Sequence, residues 1–368
     1  MHIKAALLRG ANLPFEVTTL DLEPPGTGEV RVRIAASGVC HSDWHLVTGT
    51  TRHPMPCVAG HEGAGIVEEV GAGVNHLKPG DHVCLSWTPA CGDCFYCQHG
   101  KPNLCDTFTA PIWDGVMLDG TPRLHTLNGE NVYHYCGLAT HAEQIVAPEQ
   151  ACVKIRPDVP LEIAALVGCA VATGVGSVLY TAAVCPAESV AVIGCGGVGL
   201  NILLGAALAG AWPIIAADSS PEKLALAKDF GATHTVASDE RTAAHIRELT
   251  GGRGADHVFE AVGLPQLQEL ALDCARPGGQ IILVGLSPMG SATNLPGAVI
   301  TRTEKVVKGS YYGSVNPPRD FPLMLDLFVA GKLPLNRLIT QRYSLEQINE
   351  AYAAMLTGKV ARGVIVFG

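Results

Sequence analysis

A chain of 368 residues exceeds one ordinary core of ~100–200 residues, so two domains are expected. Apolar residues make up 48% and charged residues 16%, with 42 glycines, which excludes a disordered chain and suits buried strands joined by tight turns. The net charge of -9 and the lack of a Lys/Arg-rich run argue against nucleic acid as a partner, because phosphate binding relies on clustered cations.

The N-terminus, MHIKAALLRG, has an apolar stretch of only four residues between Lys4 and Arg9, too short for the core of a signal peptide. Thirteen cysteines in a chain without an export signal point to metal or reactive thiols in a reducing, cytoplasmic setting. From Gly28 to about Gln150 the pattern is alternating, as in GEVRVRIAASG with Val30, Val32 and Ile34, then GIVEEVGAGV and DHVCLSW, and reads as β structure with one buried face. After Pro186 the texture changes. SVAVIG (189–194) is a buried strand, GCGGVG a turn, Leu200 to Gly210 a helix and PIIAAD (213–218) a second strand. Ser189 to Ala217 carries no charge, but its glycines and Pro213 break it into these pieces, so no membrane partner is expected. Ser220-Pro221 should cap a helix through Lys228; DHVFEAVG (256–263), a helix from Pro265 to Ala275 and QIILVGL (280–286) continue the alternation. Strands alternating with helices define an α/β fold with a doubly wound parallel (Rossmann) sheet beside a β-rich domain. The tail returns to one amphipathic helix and a strand, expected to pack back on the N-terminal domain and make it discontinuous. The expected division is 1–170 with 311–368, and 171–310.

Gly194-Cys195-Gly196-Gly197-Val198-Gly199 is a GxGxxG, weak alone in so glycine-rich a chain. Here it follows an apolar strand, opens a helix and precedes a strand ending in Asp218, 19 residues beyond Gly199. Gly194 allows the tight turn, Gly196 lets amides approach a pyrophosphate, and Gly199 lets the helix pack close to the sheet. Asp218 can accept both adenosine-ribose hydroxyls and would repel a 2′-phosphate, so NAD is expected rather than NADP. A purely structural glycine turn is the alternative.

Cys91, Cys94, Cys97 and Cys105 form C-x2-C-x2-C-x7-C, a spacing at which four thiolates can close a tetrahedron around a structural zinc. An iron–sulfur cluster is the competing reading, disfavoured because the usual x3-C-P continuation is absent. A second set is scattered over Cys40-His41-Ser42-Asp43-Trp44-His45, Gly60-His61-Glu62 and Gly168-Cys169. With GVCHSDWH, GHEGAGIVEEVGAGV, the four-cysteine loop, GCAVATG, GCGGVG and Asp218, the chain resembles the zinc-dependent medium-chain alcohol dehydrogenases over essentially its whole length.

The resemblance implies a GroES-like catalytic domain and an NAD-binding Rossmann domain, with two zincs per chain. It implies that Cys40, His61 and Cys169 hold the catalytic zinc, that Asp43 orients His61, that Glu62 adjoins the metal and can exchange with a ligand, and that Ser42 and His45 relay the alcohol proton to solvent. His41 and Arg362 fall at phosphate-contacting positions, Thr173 at a nicotinamide-contacting one and Lys223 beside the adenosine ribose; His41 and Lys223 also read as ordinary surface residues. Trp87 falls at a substrate-lining position, where a large indole favours a flat or primary alcohol. The long segment after the four-cysteine loop is like that of the dimeric branch and implies a homodimer. The remaining cysteines, Cys57, Cys84, Cys136, Cys152, Cys185, Cys195 and Cys274, read as small core hydrophobes. The expected activity is NAD-dependent, reversible oxidation of a primary alcohol, aromatic or allylic, to the aldehyde. Three alternatives stand beside it. One is S-(hydroxymethyl)glutathione dehydrogenase, disfavoured because Asp106-Thr107-Phe108-Thr109 offers no cation for glutathione. The others are a dehydrogenase whose tightly held NAD is recycled by an external acceptor, and a zinc-binding interaction protein without activity.

Overall fold

In the computed structural model, which describes residues 1–358 and 360–368, the chain forms two compact units, Met1–Cys169 with Asn316–Gly368, and Ala170–Val315. The first unit is β-rich. Its strands His2–Leu8, Glu16–Leu22, Leu124–Thr126, Asn131–His134 and Cys57–Val58 close a small barrel. A second sheet is built around Glu29–Gly38, whose Val30, Val32 and Ile34 are buried in the alternation expected of a strand with one face on a core. The C-terminal strand Arg362–Val366 joins this sheet antiparallel, pairing Val364 with Gly38, so the tail belongs to the first unit.

The second unit holds a six-stranded sheet in which every pairing is parallel. Its spatial order is His234–Ala237, Ile214–Asp218, Val190–Ile193, Ala255–Glu260, Ala275–Leu283 and Val306–Gly309, which is third, second, first, fourth, fifth and sixth along this part of the chain. The order reverses beside Val190–Ile193, and ligands of such sheets bind beyond the strand ends at that point. All four residues of Val190–Ile193 are buried, as a central strand covered on both faces requires.

Element ends differ from the sequence expectation where a side chain intervenes. The strand expected over 256–263 runs Ala255–Glu260, because the buried Glu260 carboxylate accepts the N–H groups of Val262 (2.9 Å) and Gly263 (2.8 Å) and turns the chain. The helix after Ser220 is Pro221–Asp229, and the Ser220 hydroxyl accepts the Lys223 N–H at 3.3 Å. Six of the seven cysteines read as core are buried, whereas Cys185 is exposed. The helical run Leu161–Ala182 is long and apolar enough to cross a membrane, but 83% of its most apolar window is buried inside the protein.

His134 is expected to make the first unit sensitive to acid. It is fully buried, and its Nε2 accepts the Arg123 N–H at 3.0 Å. Burial, reinforced by the Arg123 charge, pushes its pKa down to about 3. The unfolded chain, with an ordinary value near ~6.5, then binds the proton that the fold refuses. Stability from this residue is full above pH ~6.5 and is lost as the pH falls toward the folded value, by up to a few kcal/mol at ~1.4 kcal/mol per pH unit. His134→Gln should flatten the acid limb of urea-midpoint measurements between pH 7 and 4; an unchanged slope would show that His134 is not responsible.

Candidate active site

Cys40 caps the helix His41–Val47 in extended conformation, and the helix returns Asp43 to the interior, fully buried. Asp43 Oδ1 accepts the N–H of Gly60 at 2.8 Å and the Nδ1–H of His61 at 3.2 Å. With the proton on Nδ1, the lone pair of His61 sits on Nε2, which is buried and has no hydrogen-bond partner among the described residues. One ligand atom from each of Cys40, His61, Glu62 and Cys169 lies within 4.8 Å of the others, and all four residues are buried. Two sulfurs, an orphaned imidazole nitrogen and a carboxylate are a donor set suited to zinc, and an imidazole oriented by a carboxylate is the usual support for it. Gly60 has φ +94°, and a Cβ there would lie 2.5 Å from Thr140 Oγ1, so only glycine permits this approach.

Cys169 reaches the cluster from a wide π-helical turn, Val167–Val171, inside the long helical run. A hydrogen bond from Cys169, aided by the Arg362 charge, holds the Cys40 thiol well below its ordinary range despite its burial. Cys169 keeps the shared proton and is raised. Glu62 is pushed up to about 7 by burial, against the opposing pull of Arg362, with which it forms a buried ion pair. The Arg362 guanidinium thus faces the sulfur cluster.

Ser42 Oγ lies 3.7 Å from Cys40 Sγ, and His45, on the same helix, has a buried Nδ1 without a hydrogen-bond partner among the described residues. His41, at the start of that helix, is exposed. Trp87 stands edge-on to the His61 ring, with centroids 6.4 Å apart and planes at 88°. Tyr135 takes the same attitude at 5.8 Å and 84°, and its hydroxyl donates to the Ser42 carbonyl oxygen at 3.0 Å. Sequence reading missed Tyr135. Nothing in VYHYCG marks it, because its role depends on partners 93 positions away.

The four-cysteine loop closes as its spacing suggests. Cys91, Cys94, Cys97 and Cys105 offer four sulfurs within 4.8 Å, with Cys91–Cys97 at 4.0 Å and Cys94–Cys105 at 3.9 Å. A tetrahedron with metal–sulfur bonds of ~2.3 Å has edges of about 3.8 Å. Cys91 Sγ also accepts the N–H groups of Asp93 (3.4 Å) and Cys94 (3.3 Å), which favours its thiolate.

In the second unit the three motif glycines differ in what surrounds them. A Cβ on Gly194 (φ +95°) would strike Val262, and one on Gly199 would overlap the Gly194 carbonyl oxygen, so both are closed by packing. A Cβ on Gly196 would meet nothing within 4 Å. That open position caps the helix Gly197–Leu208, where free N–H groups favour a phosphate. Asp218, at the end of its strand, accepts the N–H groups of Cys195 (2.8 Å) and Ser220 (2.9 Å), which hold its carboxylate beside the glycine turn. Lys223 lies half-buried on the next helix. Thr173 is buried in the helix Ala172–Gly176, and a Cβ on its neighbour Gly174 would lie 2.7 Å from the Val198 carbonyl oxygen, which brings this helix against the glycine motif.

These arrangements describe the class of zinc-type oxidoreductases. Residues 26–157 match the family described as the alcohol dehydrogenase GroES-like domain, and residues 197–330 the zinc-binding dehydrogenase family. The chain is 43% identical to the NDMA-dependent alcohol dehydrogenase of Amycolatopsis methanolica, covering 100% of this chain and 99% of that one. It is 38% identical to the S-(hydroxymethyl)glutathione dehydrogenase of Paracoccus denitrificans, covering 100% of both. The crystal structure of benzyl alcohol dehydrogenase from Acinetobacter calcoaceticus superposes with a TM-score of 0.94 at 31% identity, covering 100% of both chains. The chain belongs to the zinc-dependent medium-chain alcohol dehydrogenases.

Proposed function

We propose that this oxidoreductase interconverts a primary alcohol, preferentially aromatic or allylic, and its aldehyde with NAD. The observation that carries this reading is the orphaned Nε2 of His61 among two buried sulfurs, in a chain whose other unit has an open glycine turn. When bound, zinc would supply the Lewis acidity that lowers an alcohol's pKa, and NAD the acceptor for hydride. In this proposal Cys40, His61 and Cys169 hold the metal, and Asp43 fixes the tautomer of His61. Ser42 accepts the alcohol proton and His45 delivers it to solvent, since oxidation must release a proton from a buried oxygen. Glu62 stays beside the metal as an exchangeable ligand, restrained by Arg362. Gly196, Gly197 and Val198 receive the pyrophosphate in the turn that Gly194 and Gly199 shape, Asp218 receives the adenosine ribose with Lys223 beside it, Thr173 the nicotinamide, and His41 and Arg362 phosphate charge. The four-cysteine loop holds a second, structural zinc.

Trp87 and Tyr135, edge-on to His61, favour a flat substrate, and the likeness to benzyl alcohol dehydrogenase supports the aromatic preference. The glutathione adduct is disfavoured despite the relative of that name, because Asp106–Thr109 presents no cation. A second reading, in which NAD stays bound and an external acceptor recycles it, is favoured by the relative named for its dependence on NDMA. A homodimer is inferred from the family resemblance, and a cytoplasmic setting from a cysteine-rich chain with no disulfide among the described residues.

The test combines metal analysis with an assay panel of primary, secondary, benzylic and terpenoid alcohols. Two zincs per chain and NADH formation fastest with benzylic or allylic alcohols are expected. Cofactor that co-purifies, with turnover only after NDMA is added, would select the second reading. One zinc and no turnover under either regime would leave an interaction role.

A further inference from the structure

Behind His61 lies a set of buried polar side chains that the proposed reaction does not use. His141 Nδ1 is 2.9 Å from the Ser37 hydroxyl and its Nε2 is 2.8 Å from the Tyr352 hydroxyl, while Ser37 Oγ lies 2.7 Å from Thr140 Oγ1. Ser37, Thr140 and His141 are 0% exposed and Tyr352 1%, so these groups satisfy one another rather than solvent. The Tyr352 ring stacks on Phe15 (5.1 Å) and on Trp44 (6.2 Å), the neighbour of Asp43.

The set packs directly on the segment that carries His61. The His141 N–H donates to the Ala59 carbonyl oxygen at 3.0 Å and the Thr140 N–H to that of Gly60 at 2.9 Å. The space a Gly60 side chain would need is taken by Thr140 Oγ1 at 2.5 Å, His141 N at 2.6 Å and His141 Nδ1 at 2.8 Å. Burial holds His141 down at about 4, so its ring is neutral, with one N–H and one acceptor nitrogen. Burial, and then the Asp43 carboxylate, push the Tyr352 phenol well up, so its hydroxyl stays protonated in the field of Asp43. His141 therefore bridges the Ser37 and Tyr352 hydroxyls, one ring nitrogen donating and the other accepting, while Gly60, against which it packs, donates its N–H to Asp43 Oδ1 at 2.8 Å and ties the set to that carboxylate.

We propose that Thr140, Ser37, His141 and Tyr352 form a second support for the metal-binding imidazole, fixing the Gly60–Glu62 segment and the Asp43 carboxylate so that His61 keeps Nε2 aimed between the two sulfurs. These are positioning residues. The inference rests on the reading that Cys40, His61 and Cys169 hold zinc.

The experiment follows zinc release from the full-length, zinc-loaded protein to a colorimetric chelator. The phase missing in His61→Ala marks the site in question. Tyr352→Phe keeps the stacked ring and removes the hydroxyl; it should speed that phase about tenfold, within the range known for groups that support a ligand, and leave the other phase unchanged. In an Asp43→Asn background the same substitution should add less than twofold, because the two act through one path. His141→Phe, which removes both ring nitrogens but keeps a ring against Phe15, should act in the same direction and carries the test if Tyr352→Phe does not fold. Release within twofold of the unaltered protein in the folded variants, or an equal factor with and without Asp43, would overturn the network. A wild-type chain that lacks the His61-dependent phase would overturn the zinc assignment itself, and the network with it.

Discussion

His61→Ala is expected to reduce zinc from two to one per chain and to lower kcat/KM for alcohol oxidation by at least about 10³-fold. The imidazole is the one neutral donor between two sulfurs, and its Nε2 has no other partner among the described residues. Losing it leaves two thiols and Glu62, whose carboxylate is already engaged by Arg362. A zinc ion contributes several kcal/mol by polarising the bound oxygen, and each ~1.4 kcal/mol is a factor of ten in rate. The fold should persist, because the four-cysteine loop lies elsewhere in the same unit and keeps its own sulfurs. Metal analysis and initial rates check both halves; two zincs retained, or a rate within tenfold of the unaltered protein, would remove the basis for the proposed mechanism.

Asp218→Ala is expected to lower kcat/KM for NAD by about 10²-fold or more and to raise that for NADP. The carboxylate accepts two backbone N–H groups, from Cys195 and Ser220, and each oxygen retains capacity for a ribose hydroxyl. Hydrogen bonds to a charged group contribute roughly 1.5–3 kcal/mol each, so losing two ribose contacts accounts for the expected drop. Removing the negative charge also removes repulsion toward a 2′-phosphate. Asp218→Asn separates the contributions, since it keeps an acceptor oxygen but not the charge. Equal use of NAD and NADP by the unaltered enzyme would contradict the role given to this side chain.

The β-rich and doubly wound parts were legible because burial imposes period two on GEVRVRIAASG and a continuous apolar run on SVAVIG. The ends of elements were less so. Glu260 stops its strand by bonding N–H groups two and three residues ahead, which no periodicity encodes. The four-cysteine loop announced itself because its ligands lie close in sequence. The scattered cluster drew its meaning from the family resemblance, since Cys40, His61 and Cys169 come together only through the tertiary fold. Tyr135, His141 and Tyr352 were not legible, for each is an ordinary aromatic in its local stretch and acts only through partners 93 to 211 positions away.

The wide turn Val167–Val171 limits how this chain can change length. Its π geometry accommodates one residue more than a regular helix would, and Cys169 sits in its middle. Deleting a single residue just before Cys169 would remove that extra residue and shift the thiol around and along the axis, out of its place beside His61. Insertions and deletions in this helix should therefore be far less tolerated than in the exposed loop around Cys185, and a library of single-codon deletions would display that contrast directly.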